Sequence, residues 1–95
     1  MTYDLEFLRD AWKEWEKLDE SLKGQFKKKL KERLVNPCVE SSRLRQLPYC
    51  YKIKLRTSGY RLVYRVEEGR LVVVVVAVGK RERNLVYEMA ARRLD

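Results

Sequence analysis

The chain has 95 residues, which fits a single domain over 1–95 with a modest core. Lysine and arginine number 22 against 14 aspartates and glutamates, so the formal charge of +8 favours polyanions as partners, nucleic acid before an acidic membrane surface or an acidic protein. Two cysteines 12 positions apart, with no histidine, exclude the usual zinc spacings and disfavour a disulfide scaffold. We therefore expect a reduced, cytoplasmic protein with no metal and no cofactor.

The sequence offers no candidate for a targeting or membrane segment. Its first residues, MTYDLEFLRD, hold acids where a signal peptide needs bases. The longest apolar run, LVVVVVAV, has 8 residues, whereas a membrane-spanning helix needs about 20. We therefore expect a soluble protein that does not bind a membrane.

The first half of the chain predicts a short strand and a helical hairpin. Apolar and polar residues alternate over 3–7, which indicates a strand. Apolar residues then recur at helical spacing over 8–18 and 22–34, and Asp19 or Ser21 can cap the second helix. An irregular link is expected from there to Pro48.

The second half predicts three strands and a closing helix. Turn signals at 58–59 and 68–69 separate the strands. The third strand, 71–78, is apolar on both faces, which is typical of a strand in the middle of a sheet that is covered on both sides. Gly79 is expected to end it. A helix should follow, with an inward stripe formed by Leu85, Val86, Met89 and Ala90.

The order of these elements is βααβββα, without a repeated strand-helix-strand rhythm. It predicts an α+β fold in one compact domain, built on an antiparallel sheet with an N-terminal αα-hairpin and a C-terminal helix. The helices are expected to pack on one side of the sheet.

The predicted hairpin over 50–66 carries five cations and no acid. For Lys52 and Lys54 to share a face with Arg61 and Arg65, the loop between the strands must have an even length. A two-residue turn at 57–58 places Lys54 opposite Arg61, and a turn at 58–59 makes them diagonal neighbours, about 5 to 8 Å apart between Cβ atoms. The next strand would add Val72, Val74 and Val76 to this face.

Like charges so placed destabilise a sheet unless something compensates for their repulsion. Seven cations lie from Arg43 to Arg65 with no acid between Ser41 and Val66. We therefore favour polyanion binding over ordinary solvated side chains, with a phosphate as the natural counter-charge. The lysines of the second helix are more typical of a solvated face, although they can also touch an acidic partner or ribosomal RNA.

This hairpin could also support RNA cleavage by the 2′-hydroxyl group. That reaction needs a base, a proton donor to the leaving 5′ oxygen, and stabilisation of the charged transition state. A lysine can act as the base where neighbouring cations and partial desolvation lower its pKa, and arginine can clamp the phosphate. Tyr87 lies away from the apolar stripe of the last helix, so it is either a base-stacking residue or a half-buried surface tyrosine.

The blocks YKIKLRTSGYRLVYRV and VGKRERNLVYE, with AWKEWEKL and KKKLKERLVNP before them, resemble the RelE toxins of bacterial toxin-antitoxin modules. The resemblance covers essentially the whole chain and is specific through the order of its blocks. It implies a RelE/ParE-like fold of the microbial ribonuclease type. It also implies a metal-independent, ribosome-dependent endoribonuclease that cleaves messenger RNA in the A site and thereby inhibits translation.

The resemblance also implies roles for individual residues. Lys52 and Lys54 would activate the 2′-hydroxyl and steady the transition state, and Arg61 would clamp the phosphate. Arg81 would donate the proton to the leaving oxygen, and Tyr87 would stack on the nucleotide. Further RNA contacts are expected at Arg45, Arg56, Arg65, Lys80 and Arg83, with ribosome contacts at Lys28 and Lys31.

The implied partners are the ribosome with its RNA and messenger, a RelB-like antitoxin, and operator DNA only through the antitoxin complex. Two alternatives stay open. The related ParE toxins inhibit DNA gyrase, although their pattern lacks the lysine pair together with the terminal tyrosine. A non-enzymatic nucleic-acid-binding module would need only the basic hairpin.

Overall fold

The computed structural model of the protein describes residues 2–80, 82 and 84–94. The elements in chain order are β1 (Asp4–Phe7), α1 (Arg9–Glu16), α2 (Glu20–Val35), a 3-10 helix (Glu40–Ser42), β2 (Cys50–Lys54), β3 (Tyr60–Glu67), β4 (Val72–Lys80) and α3 (Leu85–Leu94). This order confirms the predicted βααβββα arrangement. Asp19 caps α2 by accepting a hydrogen bond of 2.8 Å from the Leu22 backbone N–H.

The four strands form one mixed sheet in the order β1-β4-β3-β2. The hairpins β2-β3 and β3-β4 are antiparallel as predicted. The prediction of a wholly antiparallel sheet is wrong for β1, which pairs in parallel with β4. Parallel neighbours need a long connection, and the helices and the β2-β3 hairpin between β1 and β4 provide one.

The sheet buries a core on each of its two faces. On one face α1 and α2 pack through residues such as Trp15, Phe26 and Leu30. On the other face α3 packs through Val86 and Ala90. The prediction that the helices lie on one side is therefore wrong for α3. The prediction that β4 is an interior strand covered on both sides is confirmed.

Two local predictions around the end of β4 also fail. Gly79 does not end the strand, because it pairs with Arg61 and the strand continues to Lys80. Leu85 does not belong to the inward stripe, since it stands at the first turn of α3 and is 47% exposed. Val86 and Ala90 are buried as predicted, and Met89 is half-buried.

An ion pair between α1 and α3, hereafter the edge clamp, consists of Glu14 and Arg93. The two side chains form two hydrogen bonds, of 2.8 and 2.9 Å. Glu14 also accepts from the backbone N–H of Val78 at 3.1 Å, and Arg93 donates to the carbonyl of Val76 at 2.9 Å. Because the pairing of β1 with β4 stops at Val75, the edge clamp satisfies backbone groups of β4 beyond that point and fastens α3 to the body.

No helix within the described ranges is both long and apolar enough to cross a membrane.

Candidate active site

The hairpin β2-β3 has the register that the first of the two predicted turns requires. Lys54 is the direct partner of Arg61. The connection is longer than predicted. The hydrogen bond of 2.9 Å from the Leu55 N–H to the Tyr60 carbonyl is the last one between the two chain segments, and the Gly59 N–H donates to the Leu55 carbonyl at 2.9 Å, so residues 56–59 form the loop. Gly59 adopts φ 77°, a left-handed conformation that glycine accommodates without strain. The loop has an even number of residues, as predicted, and Lys54 and Arg61 therefore lie side by side on one face of the sheet.

Lys52, Lys54 and Arg61 form what we call the cation cluster, on the sheet face that α3 covers. Lys52 lies opposite Val63, which belongs to the core beneath α3. A β-bulge between Val63 and Tyr64 shifts the register against β4, so Arg61 has Gly79 on its other side. The predicted apolar floor of valines is therefore displaced toward Arg65, whose partner on β4 is Val74.

Tyr87 on α3 completes the surroundings of Arg61. The guanidinium donates a hydrogen bond of 2.7 Å to the Tyr87 hydroxyl and lies 5.8 Å from the centre of its ring. Arg61 Nε is buried without a hydrogen-bond partner among the described residues. Of the two expectations for Tyr87, the half-buried position is the one observed, since the side chain packs against the core under α3. This follows from the position of α3 on the same face as the cation cluster.

Arg33 supports the cation cluster from the opposite face of the sheet. One of its nitrogens, Nη1, donates to the Lys52 carbonyl at 3.1 Å and to the Tyr64 hydroxyl at 2.9 Å, and the other, Nη2, donates to Ser42 at 3.1 Å. The Tyr64 hydroxyl in turn donates to the Pro37 carbonyl at 2.7 Å. Arg33 falls within the helical stripe over 22–34 and was not among the predicted site residues. An arginine among apolar stripe positions was the available sign that it has a buried polar partner.

Arg45 and Arg65 are predicted RNA contacts that line clefts beside α3. Arg45 is exposed and lines a cleft of about 600 Å³ that also contains Lys52 and Tyr87. Arg65 forms an ion pair of 2.8 Å with Glu67, and the hydrogen bond from Arg65 lowers the pKa of Glu67. The expectation that no acid neutralises the hairpin is therefore wrong for Arg65.

The other predicted contact residues are exposed on the loop, strand and helix surfaces or lie outside the described residues. Arg56 is exposed in the β2-β3 loop, and Lys80 is exposed at the end of β4. Lys28 and Lys31 are exposed on α2, which packs on the opposite face of the sheet. Arg81 and Arg83 lie outside the described residues, so their predicted roles are carried by the sequence alone.

Burial determines the state of two further groups on β2. Burial under α3 raises the pKa of Cys50 to about 11, against a smaller lowering by Arg65, so this thiol acts as an apolar side chain. On the opposite face burial raises the pKa of Tyr51 to about 12, with a further contribution from its hydrogen bond to Cys38. The described residues contain no group of three histidine, cysteine or carboxylate side chains placed to hold a metal ion.

Comparison with known proteins shows the family to which this chain and its fold belong. Residues 5–85 match the family model of the ParE toxin of the type II toxin-antitoxin system parDE. The chain is 53% identical over 94 residues to the mRNA interferase toxin RelE of Escherichia coli K12, covering 99% of each protein.

Two solved structures that contain the E. coli toxin RelE resemble this chain closely. An arginine-substituted RelE in the free state matches with a TM-score of 0.92 at 50% identity, over 100% of both chains. The intact E. coli RelBE toxin-antitoxin complex matches with a TM-score of 0.83 at 54% identity, over 85% of this chain and 99% of that chain. The chain belongs to the RelE toxins, within the ParE-related family of type II toxin-antitoxin systems.

Proposed function

We propose that the chain is a ribosome-dependent endoribonuclease toxin that cleaves messenger RNA in the ribosomal A site and so inhibits translation. The observation that carries this proposal is the direct pairing of Lys54 with Arg61, with Lys52 on the same face and Tyr87 bonded to Arg61. A phosphate at this position relieves the repulsion between the cations and meets donors from two strands and a helix. The mRNA interferase activity in the name of the E. coli relative supports the same conclusion.

In the proposed reaction Lys52 and Lys54 form the basic pair that takes the proton from the 2′-hydroxyl and steadies the charged transition state. The 2′ oxygen attacks the adjacent phosphorus, and the bond from phosphorus to the 5′ oxygen breaks. Arg61 clamps the phosphate, and Arg81 is assigned the donation of a proton to the leaving oxygen. The products are a 2′,3′-cyclic phosphate and a 5′-hydroxyl.

Tyr87 has a second part in this proposal. Its hydroxyl accepts a hydrogen bond from Arg61, so Tyr87 orients the guanidinium that binds the phosphate. Its ring is placed to stack on a nucleotide at the cation cluster. We expect cleavage without added metal, because protonated lysine and arginine supply the stabilisation of charge. Arg45, Arg56, Arg65, Lys80 and Arg83 are proposed to contact RNA, and Lys28 and Lys31 to contact the ribosome.

Three parallel assays with purified protein test this function against the alternatives. Messenger on programmed ribosomes is expected to be cut, whereas the same messenger free in solution stays intact. DNA supercoiling by gyrase is expected to continue at its normal rate. Inhibition of gyrase without messenger cleavage would establish a ParE-like function, and binding of RNA without either effect would establish a non-enzymatic module.

A RelB-like antitoxin is the proposed protein partner, as in the RelBE complex of E. coli. The cationic face calls for an acidic or strongly amphipathic segment that covers the cluster or displaces α3. Contact with operator DNA is proposed to occur only through this complex. Co-expression of the antitoxin encoded beside the toxin should restore growth of cells expressing the toxin, and continued arrest would refute the pairing.

A further inference from the structure

Tyr49 is a surface residue with an unfavourable backbone conformation that the packing of its side chain does not compensate. The residue is 69% exposed, so little burial is gained. Its backbone is left-handed, with φ 63°, a conformation that costs free energy for a residue with a side chain. The hydrogen bond of 2.9 Å from the Val66 N–H to the Tyr49 carbonyl holds the backbone in place. A strained position with an exposed ring indicates a function outside the folded core.

The surface clefts connect Tyr49 with the cation cluster. The cleft that holds Lys52 and Tyr87 runs between the 43–47 segment and α3. A second cleft shares Gln46, Leu47 and Ala91 with the first and continues to Tyr49 and Arg65. The two clefts therefore form one groove, hereafter the α3 groove, between the segment before β2 and the helix.

The charges along the α3 groove fit a polyanionic strand. Arg43, Arg45 and Lys52 line its first part, where Glu88 of α3 is the acid. Arg65 stands at its far end, and its Nε is buried with no hydrogen-bond partner in the described part of the chain. Glu67 accepts a hydrogen bond from the Nη2 of Arg65. The Arg65 side chain as a whole is 36% exposed, so the exposed part of the guanidinium, and not the buried Nε, is what a ligand in the groove could meet.

We propose that the α3 groove binds the RNA strand beyond the cleaved bond, with Tyr49 as a stacking platform for a base and Arg65 as a phosphate contact. The proposal rests on the function proposed above and extends its substrate site. From Cys50 to Lys54, β2 spans about 13 Å at about 3.3 Å per residue. A stacked strand advancing about 3.4 Å per nucleotide covers that distance in about four nucleotides.

The test measures binding of oligoribonucleotides that cannot be cleaved because their 2′-hydroxyls are methylated. The probes have about three and about eight nucleotides, shorter and longer than the groove requires. The longer probe is expected to bind the unaltered protein more tightly, and Tyr49→Ala should weaken its binding about five- to a hundredfold, the scale of one stacked base. Tyr49→Phe keeps the ring and should preserve the difference between the probes.

Equal affinity for the two probes, failure of the longer probe to bind, or the same length dependence in Tyr49→Ala would overturn the groove assignment. Loss of antitoxin binding in Tyr49→Ala, with RNA binding unaltered, would assign the groove to a protein and overturn it too. The ribosome assay separates the two proposals. If messenger is cleaved but probe affinity does not depend on length, only the proposed RNA binding in the α3 groove is refuted. If probe affinity depends on length but messenger is not cleaved, the groove assignment stands and the proposed endoribonuclease function is refuted.

Discussion

Lys54→Ala is expected to lower the single-turnover rate of messenger cleavage on saturated ribosomes by about a hundredfold or more, the usual scale for losing a general acid or base. Lys54 is exposed and directly opposite Arg61. Its replacement therefore leaves Arg61 in place to bind the phosphate and removes one lysine of the proposed basic pair. Affinity for the ribosome should change little. The rate is measured with toxin in excess over programmed ribosomes.

Lys28→Ala and Lys31→Ala are the matched controls for this experiment. Both lysines are exposed on α2, on the opposite face of the sheet from the cation cluster. Distant cations steer association without touching the reacting phosphate. These variants should bind the ribosome more weakly, in a salt-dependent manner, and keep a rate near that of the parent at saturation. If Lys54→Ala behaves like them, the hairpin is a docking surface and the catalytic assignment fails.

Arg93→Ala is expected to lower the free energy of unfolding by about 2 to 4 kcal/mol. The substitution removes the two hydrogen bonds to Glu14 and the one to the Val76 carbonyl, and the side chains concerned are only 18% and 23% exposed. Since total stability is typically about 5 to 15 kcal/mol, the loss is a large fraction. Urea denaturation measures it as a lower midpoint at an unchanged slope.

Arg92→Ala is the control on the same helix turn. Arg92 is exposed, and its replacement should change stability by less than about 0.5 kcal/mol. Equal effects of the two substitutions would show that the edge clamp contributes nothing beyond surface charge. Because α3 also carries Tyr87, a large effect of Arg93→Ala would show that the contact that stabilises the fold also holds in place the helix that contributes to the site.

Local patterns in the sequence were sufficient to predict the elements and the central hairpin. Alternation over 50–66 determines which residues share a face and leaves two registers open, and the structure adopts the one that pairs Lys54 directly with Arg61. The direction of β1 could not be read in this way, since four residues carry no information on which strand they will join. The prediction that Gly79 ends β4 failed for a similar reason, because the place of Gly79 in β4 depends on its pairing with Arg61 and not on the preference of glycine for turns.

Contacts between distant parts of the chain account for what the sequence left out of the site. Arg33 reaches Lys52 across 19 positions, and Arg93 reaches Glu14 across 79. No local periodicity encodes either pair. The half-buried state of Tyr87 follows from the packing of α3 on the cation face, whereas the prediction had placed all the helices together on one side of the sheet. The left-handed backbone of Tyr49 likewise depends on its hydrogen bond to Val66.

A messenger with a single 2′-deoxynucleotide at the cleaved position tests the central claim most directly, since the proposed reaction uses the 2′-hydroxyl of that nucleotide as its nucleophile. The messenger is placed in the A site of programmed ribosomes, and the unmodified messenger serves as the control. We predict that the unmodified messenger yields a product ending in a 2′,3′-cyclic phosphate and that the deoxy messenger is not cut at that position. Cleavage of the deoxy messenger there at the control rate, or a product with a 3′-hydroxyl end, would contradict the account.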